Sequence, residues 1–355
     1  MEAASGTPLT VSTACDDALG DSDTTDLIER LGRREVSAAE LRAAALARLR
    51  VGNGTLNAVA GEIDQIEDCQ PAAEGPFAGV PLPLKDNDDV AGYPTSWGSR
   101  AFGPEPAKQS SVFVRQLTDL GFVPIAKTTL PEFGLTATTQ SQRFGDTRNP
   151  WDTARSVGGS SGGSAALVAA GVTPIAHTND GGGSTRIPAS TCGLVGLKPS
   201  RGRLIDRPEL ERVPINLFTQ GVVTRTVRDT ALFYSAAERL YANPGLPPVG
   251  HVRGPTQQRL RMAVIADGLA GIPLDAQIRQ SLQDAALLCG TLGHDVEFVA
   301  NPYSDQVARD FLRYWAMLAL VFKRFGRRLY GPNFDGDKRF VRLVASQHPA
   351  SQPNV

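Results

Sequence analysis

The sequence lacks a surplus of charge of either sign. Its 355 residues contain 36 Lys and Arg against 37 Asp and Glu, so the formal net charge at pH 7 is −1. A chain with this balance has no strong electrostatic field with which to hold phosphate backbones or an anionic membrane surface. The composition therefore argues against nucleic acid as a partner.

Cysteines and long apolar runs are also scarce. The four cysteines, at positions 15, 69, 192 and 289, show no paired spacing and are too few to staple this chain, so we expect reduced thiols. The longest unbroken apolar run, Trp315–Phe322, is far shorter than the roughly 20 residues of a bilayer span. The first 20 residues do not resemble a secretory signal, because no basic start precedes an apolar stretch. These absences predict a soluble, cytoplasmic protein with no membrane partner.

Helices that alternate with strands predict an α/β fold. Ser37 and Glu40 have the spacing of a capping box at the start of one helix. Three further helical patterns each end at a glycine, namely Gly121, Gly171 or Gly293, and a strand-like segment follows each of them. We therefore expect a mixed central β-sheet covered by helices.

The expected organisation is one large domain with loose ends. Residues 1–23 are polar and acidic and predict a flexible N-terminal arm, and residues 24–345 would form the domain. Residues 346–355 are polar, contain two prolines and predict a disordered tail. A stretch rich in Pro and Gly over 242–258 is either a long loop within the fold or a hinge between subdomains.

One segment, residues 156–186, departs from ordinary globular composition. It holds the runs Gly158–Ser164 and Asp180–Ser184, two glycine clusters that flank one helix and one strand. Glycine is retained in such runs where backbone N–H groups approach a ligand or where φ must be positive. Because each run also brings serine to that backbone, the segment predicts a chemical site.

Other motifs match the glycine-rich segments less well. A phosphate-binding loop over 121–128 would need a second glycine where Ala126 stands, and neither glycine cluster has the G-x-G-x-x-G spacing of a dinucleotide site. Residues 159–163 satisfy G-x-S-x-G, which would make Ser161 a nucleophile, but no strand-like segment precedes them. Cys192 lies in apolar company and predicts a core thiol rather than a second nucleophile.

A serine nucleophile needs a base, and histidine is a poor candidate for it here. None of the four histidines has an evident catalytic setting, and His177, seven residues before Ser184, is more typical of a structural position at a strand end. No His, Cys or carboxylate cluster suggests a metal site. Lys85 can be the base if the apolar run before it carries it into the interior, because desolvation lowers the pKa of an amine. The competing interpretation is a surface lysine paired with the aspartates of residues 86–89.

Lys85 and the two Gly/Ser runs together resemble the amidase signature family, over residues 25–343 of this chain. The separations of 75 residues from Lys85 to Ser160 and of 24 from Ser160 to Ser184 match the usual spacing of that family. Within the family the sequence is most similar to actinobacterial amidases of the amiC type and, more distantly, to 6-aminohexanoate cyclic-dimer hydrolases. The other matching segments are Gly79-Val80-Pro81, Lys127-Thr128, Pro131-Glu132-Phe133, Arg148-Asn149-Pro150-Trp151 and residues 193–199.

The resemblance implies an amidase-signature fold and a Ser-cis-Ser-Lys triad. Ser184 would be the nucleophile, Ser160 the bridging serine that follows a cis peptide bond, and neutral Lys85 the base. Lys85 would take a proton through Ser160 while Ser184 attacks the amide carbon. Water would then hydrolyse the acyl-enzyme.

The resemblance also implies an oxyanion hole and supporting residues. The oxyanion hole would consist of the backbone N–H groups of Gly181, Gly182, Gly183 and Ser184. Arg186 is expected to pair with a nearby carboxylate. Gly181 stands where the family often has a larger residue, which we expect to change substrate fit more than mechanism. The remaining supporting residues of the signature are Ser161, Asp180 and Asn179, the last of which replaces a common Thr.

The implied function is that of an amidase that hydrolyses a carboxylic acid amide to an acid and an amine or ammonia, with no cofactor and no metal. The expected partners are a small-molecule amide substrate and, in a homodimer, a second copy of the chain. Two alternatives stay open: a glutaminase-type subunit of a tRNA-dependent amidotransferase, and an inactive truncated amidase. The second arises because the Asn-x-x-Gly-x-Pro-Ala segment of the family is not found after Phe325, so the C-terminal part of the fold is expected to be missing.

Overall fold

The computed structural model describes residues 9–207, 215–268 and 272–335. Within these residues the chain divides into two compact units, one of residues 9–253 with 330–335 and one of residues 254–329. The boundary falls inside the stretch 242–258, so this stretch separates two units. The single domain expected over 24–345 is therefore divided, because residues 254–329 make most of their contacts among themselves. The expected tail at 346–355 lies outside the described residues.

The first unit begins with two helices, α1 (Thr24–Gly32) and α2 (Ala38–Leu56). The predicted capping box starts α2: the Ser37 hydroxyl accepts from the Glu40 N–H (3.2 Å), and the Glu40 carboxylate accepts from the Ser37 N–H (2.8 Å). The apolar face that these caps orient is buried in the core of the unit, through Leu41, Ala45 and Leu49.

Residues 9–23 contact the body of this unit, although the sequence predicts a flexible arm there. The Thr13 N–H donates to the Ala170 carbonyl (2.7 Å), and the buried Arg48 guanidinium forms a salt bridge with Asp17 (2.6 Å). Leu19 is buried in the same core as α2. These long-range partners hold the segment, and its polar composition gave no sign of them.

The first sheet has the strand order β1-β3-β2 and comprises β1 (Val59–Glu62), β2 (Pro81–Lys85) and β3 (Val123–Thr128). Strand β2 runs parallel to β3, whereas β1 is antiparallel to it. Helix α3 (Val112–Asp119) leads into β3 through Gly121, whose φ of +97° favours glycine. This is the helix–glycine–strand unit that the sequence predicts.

The second sheet is antiparallel and comprises β6 (Ile175–Asp180), β7 (Val195–Gly196) and β8 (Thr219–Thr224), in the order β6-β8-β7. The second glycine-rich run begins at the end of β6. This sheet does not share a hydrogen-bonded ladder with the first sheet in the described residues, so the expected central sheet consists of two three-stranded ladders within a mixed α/β architecture. The remaining elements of the unit, in chain order, are β4 (Gln140–Ser141), β5 (Gly145–Asp146), α4 (Gly162–Ala169), α5 (Arg186–Cys192) and α6 (Val227–Leu240).

The second unit contains one two-stranded parallel sheet and two helices. Its elements are β9 (Arg261–Ile265), α7 (Ala276–Thr291), β10 (Asp295–Val299) and α8 (Asp305–Tyr330), whose last residue belongs to the first unit. Across the described ranges, no helix combines the length and the apolar character needed to span a membrane.

Candidate active site

Strand β2 carries Lys85 into the interior of the first unit. All five residues of this strand are buried, which is typical of a strand covered on both faces. The Lys85 side chain is itself fully buried, at 0% exposure. The interpretation of Lys85 as a surface lysine is therefore wrong.

The Lys85 amine lies among three neutral oxygen atoms. Its Nζ is 2.8 Å from Ser160 Oγ, 2.9 Å from Ser161 Oγ and 2.8 Å from Asn179 Oδ1. No carboxylate among the described residues forms an ion pair with it. The site thus brings together four of the residues predicted from the sequence.

The aspartates that follow Lys85 along the chain are paired elsewhere. Asp86 forms a buried ion pair with Lys127 (3.1 Å), and Asp88 forms one with Arg207 (2.9 Å). Burial without a counter-ion lowers the pKa of Lys85 from its usual value of 10.5 to about 7, although the charges of Asp180 and Asp88 act in the opposite direction. A large fraction of Lys85 is therefore neutral at neutral pH and able to accept a proton.

The first Gly/Ser run forms a tight turn into α4. The peptide bond between Gly159 and Ser160 is cis. A side chain at residue 159 would collide with the backbone of Thr138, since a Cβ there would lie 2.8 Å from its carbonyl carbon. Glycine therefore allows the two backbones to approach closely, which holds Ser160 beside the lysine.

The second run, after β6, brings Ser184 next to the first. The Ser184 carbonyl accepts a hydrogen bond from the Ser161 N–H (3.2 Å), so the two serine-bearing loops are joined through their backbones. Ser184 is 8% exposed, more than the almost completely buried Ser160 and Ser161. Of the three serines, Ser184 is therefore the most accessible to an external molecule.

Asp180 and Arg186 brace the loop that carries Ser184. The Arg186 guanidinium contacts both carboxylate oxygens of Asp180, at 2.9 Å each. Burial alone would raise the pKa of Asp180, but the Arg186 side chain and the backbone N–H of Gly183 hold it below its usual value. The structure thus contains the expected ion pair between Arg186 and a nearby carboxylate, that of Asp180.

One of the expected oxyanion donors is already engaged. The Gly183 N–H donates to Asp180 Oδ1 at 2.7 Å, so it does not point to a substrate oxygen in this arrangement. The candidate donors that remain are the N–H groups of Gly181, Gly182 and Ser184. A Cβ at residue 181 would lie 2.6 Å from the Phe218 ring, which occupies the space that a larger residue would fill.

Several polar neighbours of Lys85 escaped the sequence analysis. Gln220 on β8 and Arg207 form a hydrogen-bonded network with Asp88 and His177. The sequence could have indicated the place of His177, because it lies two positions before Asn179 in β6. Residues two positions apart in a strand face the same side. Neither a metal-binding group of His, Cys, Asp or Glu nor a disulfide occurs in the described part of the chain.

Comparisons with known proteins identify the family of this chain. The sequence model of the family described as Amidase matches residues 36–346. The chain is 47% identical over 325 residues to AmiC of Mycobacterium tuberculosis, which is named as an amidase, and the match covers 90% of this chain and 68% of that relative. The 6-aminohexanoate-cyclic-dimer hydrolase of Paenarthrobacter ureafaciens is 36% identical over 316 residues, which are 84% of this chain and 63% of that protein.

Solved structures show the same fold. A 6-aminohexanoate cyclic dimer hydrolase complexed with substrate superposes with a TM-score of 0.74 at 32% identity, over 88% of this chain and 68% of that one. A bacterial aryl acylamidase of the amidase signature enzymes gives a TM-score of 0.73 at 27% identity, over 88% and 69% of the two chains. The family match, the AmiC relatives and these folds lead to one conclusion: the chain belongs to the amidase signature family, whose reaction is the hydrolysis of carbon–nitrogen amide bonds.

Proposed function

We propose that Lys85, Ser160 and Ser184 carry out amide hydrolysis in this protein. The observation that carries the proposal is the buried Lys85 amine, held 2.8 Å from Ser160 Oγ with a pKa lowered to about 7 by burial. A protonated ammonium has no lone pair for another proton, so only the neutral form serves as a base. The site favours that form more than water does.

In the proposed reaction the Ser184 oxygen attacks the carbonyl carbon of the amide. Its proton passes to Ser160 while the Ser160 proton passes to Lys85 Nζ, so the lysine becomes an ammonium. The tetrahedral intermediate then expels the amine, which receives the proton back through the same relay. Water repeats the sequence on the acyl-enzyme: it loses a proton to the relay and attacks the ester carbon. The bond to the Ser184 oxygen then breaks, this oxygen takes the proton back from the relay, and the acid is released.

The oxyanion of each intermediate would be held by backbone N–H groups. Those of Gly181, Gly182 and Ser184 are the donors we propose, because the Gly183 N–H is bonded to Asp180. In this arrangement Gly183 and the Asp180–Arg186 pair set the shape of the loop. Asn179 and Ser161 hold the Lys85 amine from its other sides.

Amide hydrolysis is favoured over the role of a glutaminase component in an amidotransferase. A glutamyl-tRNA(Gln) amidotransferase subunit of Thermotoga maritima superposes with a TM-score of 0.67 at 26% identity, whereas the AmiC relatives reach 47%. We propose a small-molecule amide as substrate, and the cytoplasm as the compartment, in keeping with four free thiols. A homodimer stays a prediction that sedimentation can test.

A fluorophosphonate probe followed by peptide mapping tests the proposal. The probe should label Ser184, and labelling should be lost in Ser184→Ala and strongly slowed in Lys85→Met. Hydrolysis would be followed on 4-nitroacetanilide and on the 6-aminohexanoate cyclic dimer named for the relative. A probe that maps to Ser161 would support the G-x-S-x-G interpretation and contradict ours.

A further inference from the structure

A chain of buried polar groups runs from the Lys85 main chain to the centre of the second sheet. The Lys85 N–H donates to His177 Nδ1 (3.1 Å), and His177 Nε2 lies 3.0 Å from Gln220 Oε1. The Gln220 Nε2 then lies 3.2 Å from Asp88 Oδ2, and the Arg207 guanidinium contacts the same carboxylate at 2.9 Å. The reaction proposed above does not directly use the side chains of this network, which are His177, Gln220, Asp88 and Arg207.

The carboxylate of Asp88 sets the direction of every hydrogen bond in this chain. Burial alone would raise the pKa of Asp88, but the positive charge of Arg207 holds it well below its usual range, so the group is ionised. An ionised carboxylate only accepts, so Gln220 turns its NH₂ group to Asp88 and its oxygen to His177. That oxygen requires a proton on His177 Nε2, which leaves the Nδ1 lone pair free to accept the Lys85 N–H.

His177 occupies a place where a sheet would normally have a backbone carbonyl. On one side Lys85 is in register with Thr128 of β3, whereas on the side of β6 its N–H meets the imidazole. Two residues further along β6, Asn179 Oδ1 contacts the amine of the same lysine. The side chains of β6 therefore hold Lys85 at both its main chain and its amine.

The imidazole of His177 is suited to accepting a hydrogen bond and unsuited to transferring protons. Burial lowers the pKa of His177 to about 4, so the ring is neutral at neutral pH. The charged or polar groups that face it are Lys85, Asp88, Arg207 and Gln220, and the Phe113 ring packs at 5.2 Å between centroids. A neutral ring adds no positive charge beside the lysine.

We propose that His177 is a positioning residue for amide hydrolysis, which holds the Lys85 main chain through an Nε2-protonated imidazole whose tautomer is set by Gln220 and Asp88. This inference rests on the proposed role of Lys85 as the base. A misplacement of a catalytic group by about 1 Å can cost on the order of 100-fold in rate, so the contact that holds the Lys85 main chain should affect activity.

Three variants separate positioning from packing. His177→Phe keeps the ring and removes both nitrogens, and we expect kcat for 4-nitroacetanilide to fall about 10- to 100-fold with KM within about twofold. His177→Asn places an acceptor oxygen near the former Nδ1, and we expect it to recover a substantial part of kcat. Phe113→Leu alters the packing around the ring without a hydrogen bond, and we expect it to retain kcat within about threefold.

The position of Gln220 between His177 and Asp88 in the hydrogen-bond network gives a second test. Gln220→Leu removes the group that sets the tautomer, so kcat should fall, and the double variant with His177→Phe should be no slower than His177→Phe alone. Folding of each variant would be followed by thermal melting. If His177→Phe fails to fold, the comparison of His177→Asn with Phe113→Leu and with Gln220→Leu still decides whether His177 positions Lys85 or only packs against its neighbours.

A spectroscopic readout is independent of activity. In protein with ¹⁵N-labelled histidine, the signal that disappears in His177→Asn should show a neutral ring protonated on Nε2 between about pH 5 and pH 8. A ring protonated on Nδ1, or folded His177→Phe with kcat within twofold of the parent, would overturn the inference. Failure of the probe to label Ser184 in the parent would instead overturn the proposed function, whatever the tautomer.

Discussion

Lys85 and Lys127 are buried lysines on neighbouring parallel strands, yet their amines meet different partners. The Lys127 Nζ lies 3.1 Å from Asp86 Oδ1 and 2.8 Å from the Asp88 carbonyl, and its side chain is 3% exposed. The Lys85 Nζ contacts two hydroxyls and one amide oxygen and is equally enclosed. The two lysines are therefore about equally buried, and they differ in the charge of the groups around their amines.

This difference shows how one residue type supplies both structure and chemistry in one sheet. A carboxylate partner offsets part of the desolvation cost of a buried ammonium. A buried ammonium among neutral oxygens loses its proton more readily, as the lowered pKa of Lys85 reflects. The presence or absence of one counter-ion thus separates a structural lysine from a candidate base.

The largest expected effect breaks the comparison at Lys85. In Lys85→Met we expect amide hydrolysis to fall about 10²- to 10⁴-fold, since the general base is lost. The fold should be retained, because an apolar side chain of similar length replaces an amine that is costly to bury. Turnover of 4-nitroacetanilide and urea unfolding measure the two effects. Near-normal turnover at neutral pH would exclude Lys85 as the base.

Lys127→Met should give the opposite phenotype. The substitution leaves the buried Asp86 carboxylate without its partner, which costs about 3–5 kcal/mol of stability. Urea unfolding should show the loss, and Lys127→Met combined with Asp86→Asn should recover part of it. Unfolding at the same urea concentration as the parent would show that the ion pair has no such role.

Asn179→Asp should make Lys85 resemble Lys127. The substitution is nearly isosteric and places a carboxylate where the amide oxygen lies 2.8 Å from the amine, which should raise the pKa of Lys85. Because the neutral amine is the base, parent activity should rise with pH through about 7, and this variant should rise only at higher pH. At pH 7 we expect a loss of about 10- to 100-fold.

The pH profile of kcat/KM checks this expectation, and Asn179→Leu is the control. The control removes the same contact without adding charge, so its acidic limb should stay closer to that of the parent than the limb of Asn179→Asp does. An acidic limb that is the same in Asn179→Asp and in the parent would contradict the assignment of that limb to Lys85.

The smallest expected effect concerns Ser161. Ser161→Ala removes one of the three contacts of the Lys85 amine, at 2.9 Å, and a net hydrogen bond contributes about 0.5–1.5 kcal/mol. We therefore expect labelling of Ser184 to persist but to slow about 3- to 10-fold. Ser235→Ala, at a buried serine whose hydroxyl contacts Arg239, serves as a control that should keep the parent rate. Complete loss of labelling in Ser161→Ala would indicate that Ser161 is the nucleophile.

Local signals in the sequence were sufficient for much of the fold. The capping box at Ser37 and the glycine at Gly121 both depend on residues a few positions apart, and both occur as predicted. The Gly/Ser runs were likewise enough to select the loops that carry Ser160 and Ser184. Such features are encoded in neighbouring residues, so a single sequence contains them in full.

Long-range partners could not be predicted in the same way. Nothing near Asp86 in the sequence indicates that its partner is Lys127 rather than the adjacent Lys85. The contacts that hold residues 9–23 and the separation of the central sheet into two ladders likewise depend on residues far apart in the sequence.

By itself, the sequence determined which residue types meet at the site: a lysine after an apolar strand and serines within glycine-rich turns. Only the tertiary structure decided the state of those residues, because the pKa of Lys85 depends on its burial and on charges brought from distant parts of the chain. His177 illustrates the same division, since its place in the strand pattern is local while its tautomer depends on Gln220 and Asp88. Chemistry here follows from the neighbours that folding brings together.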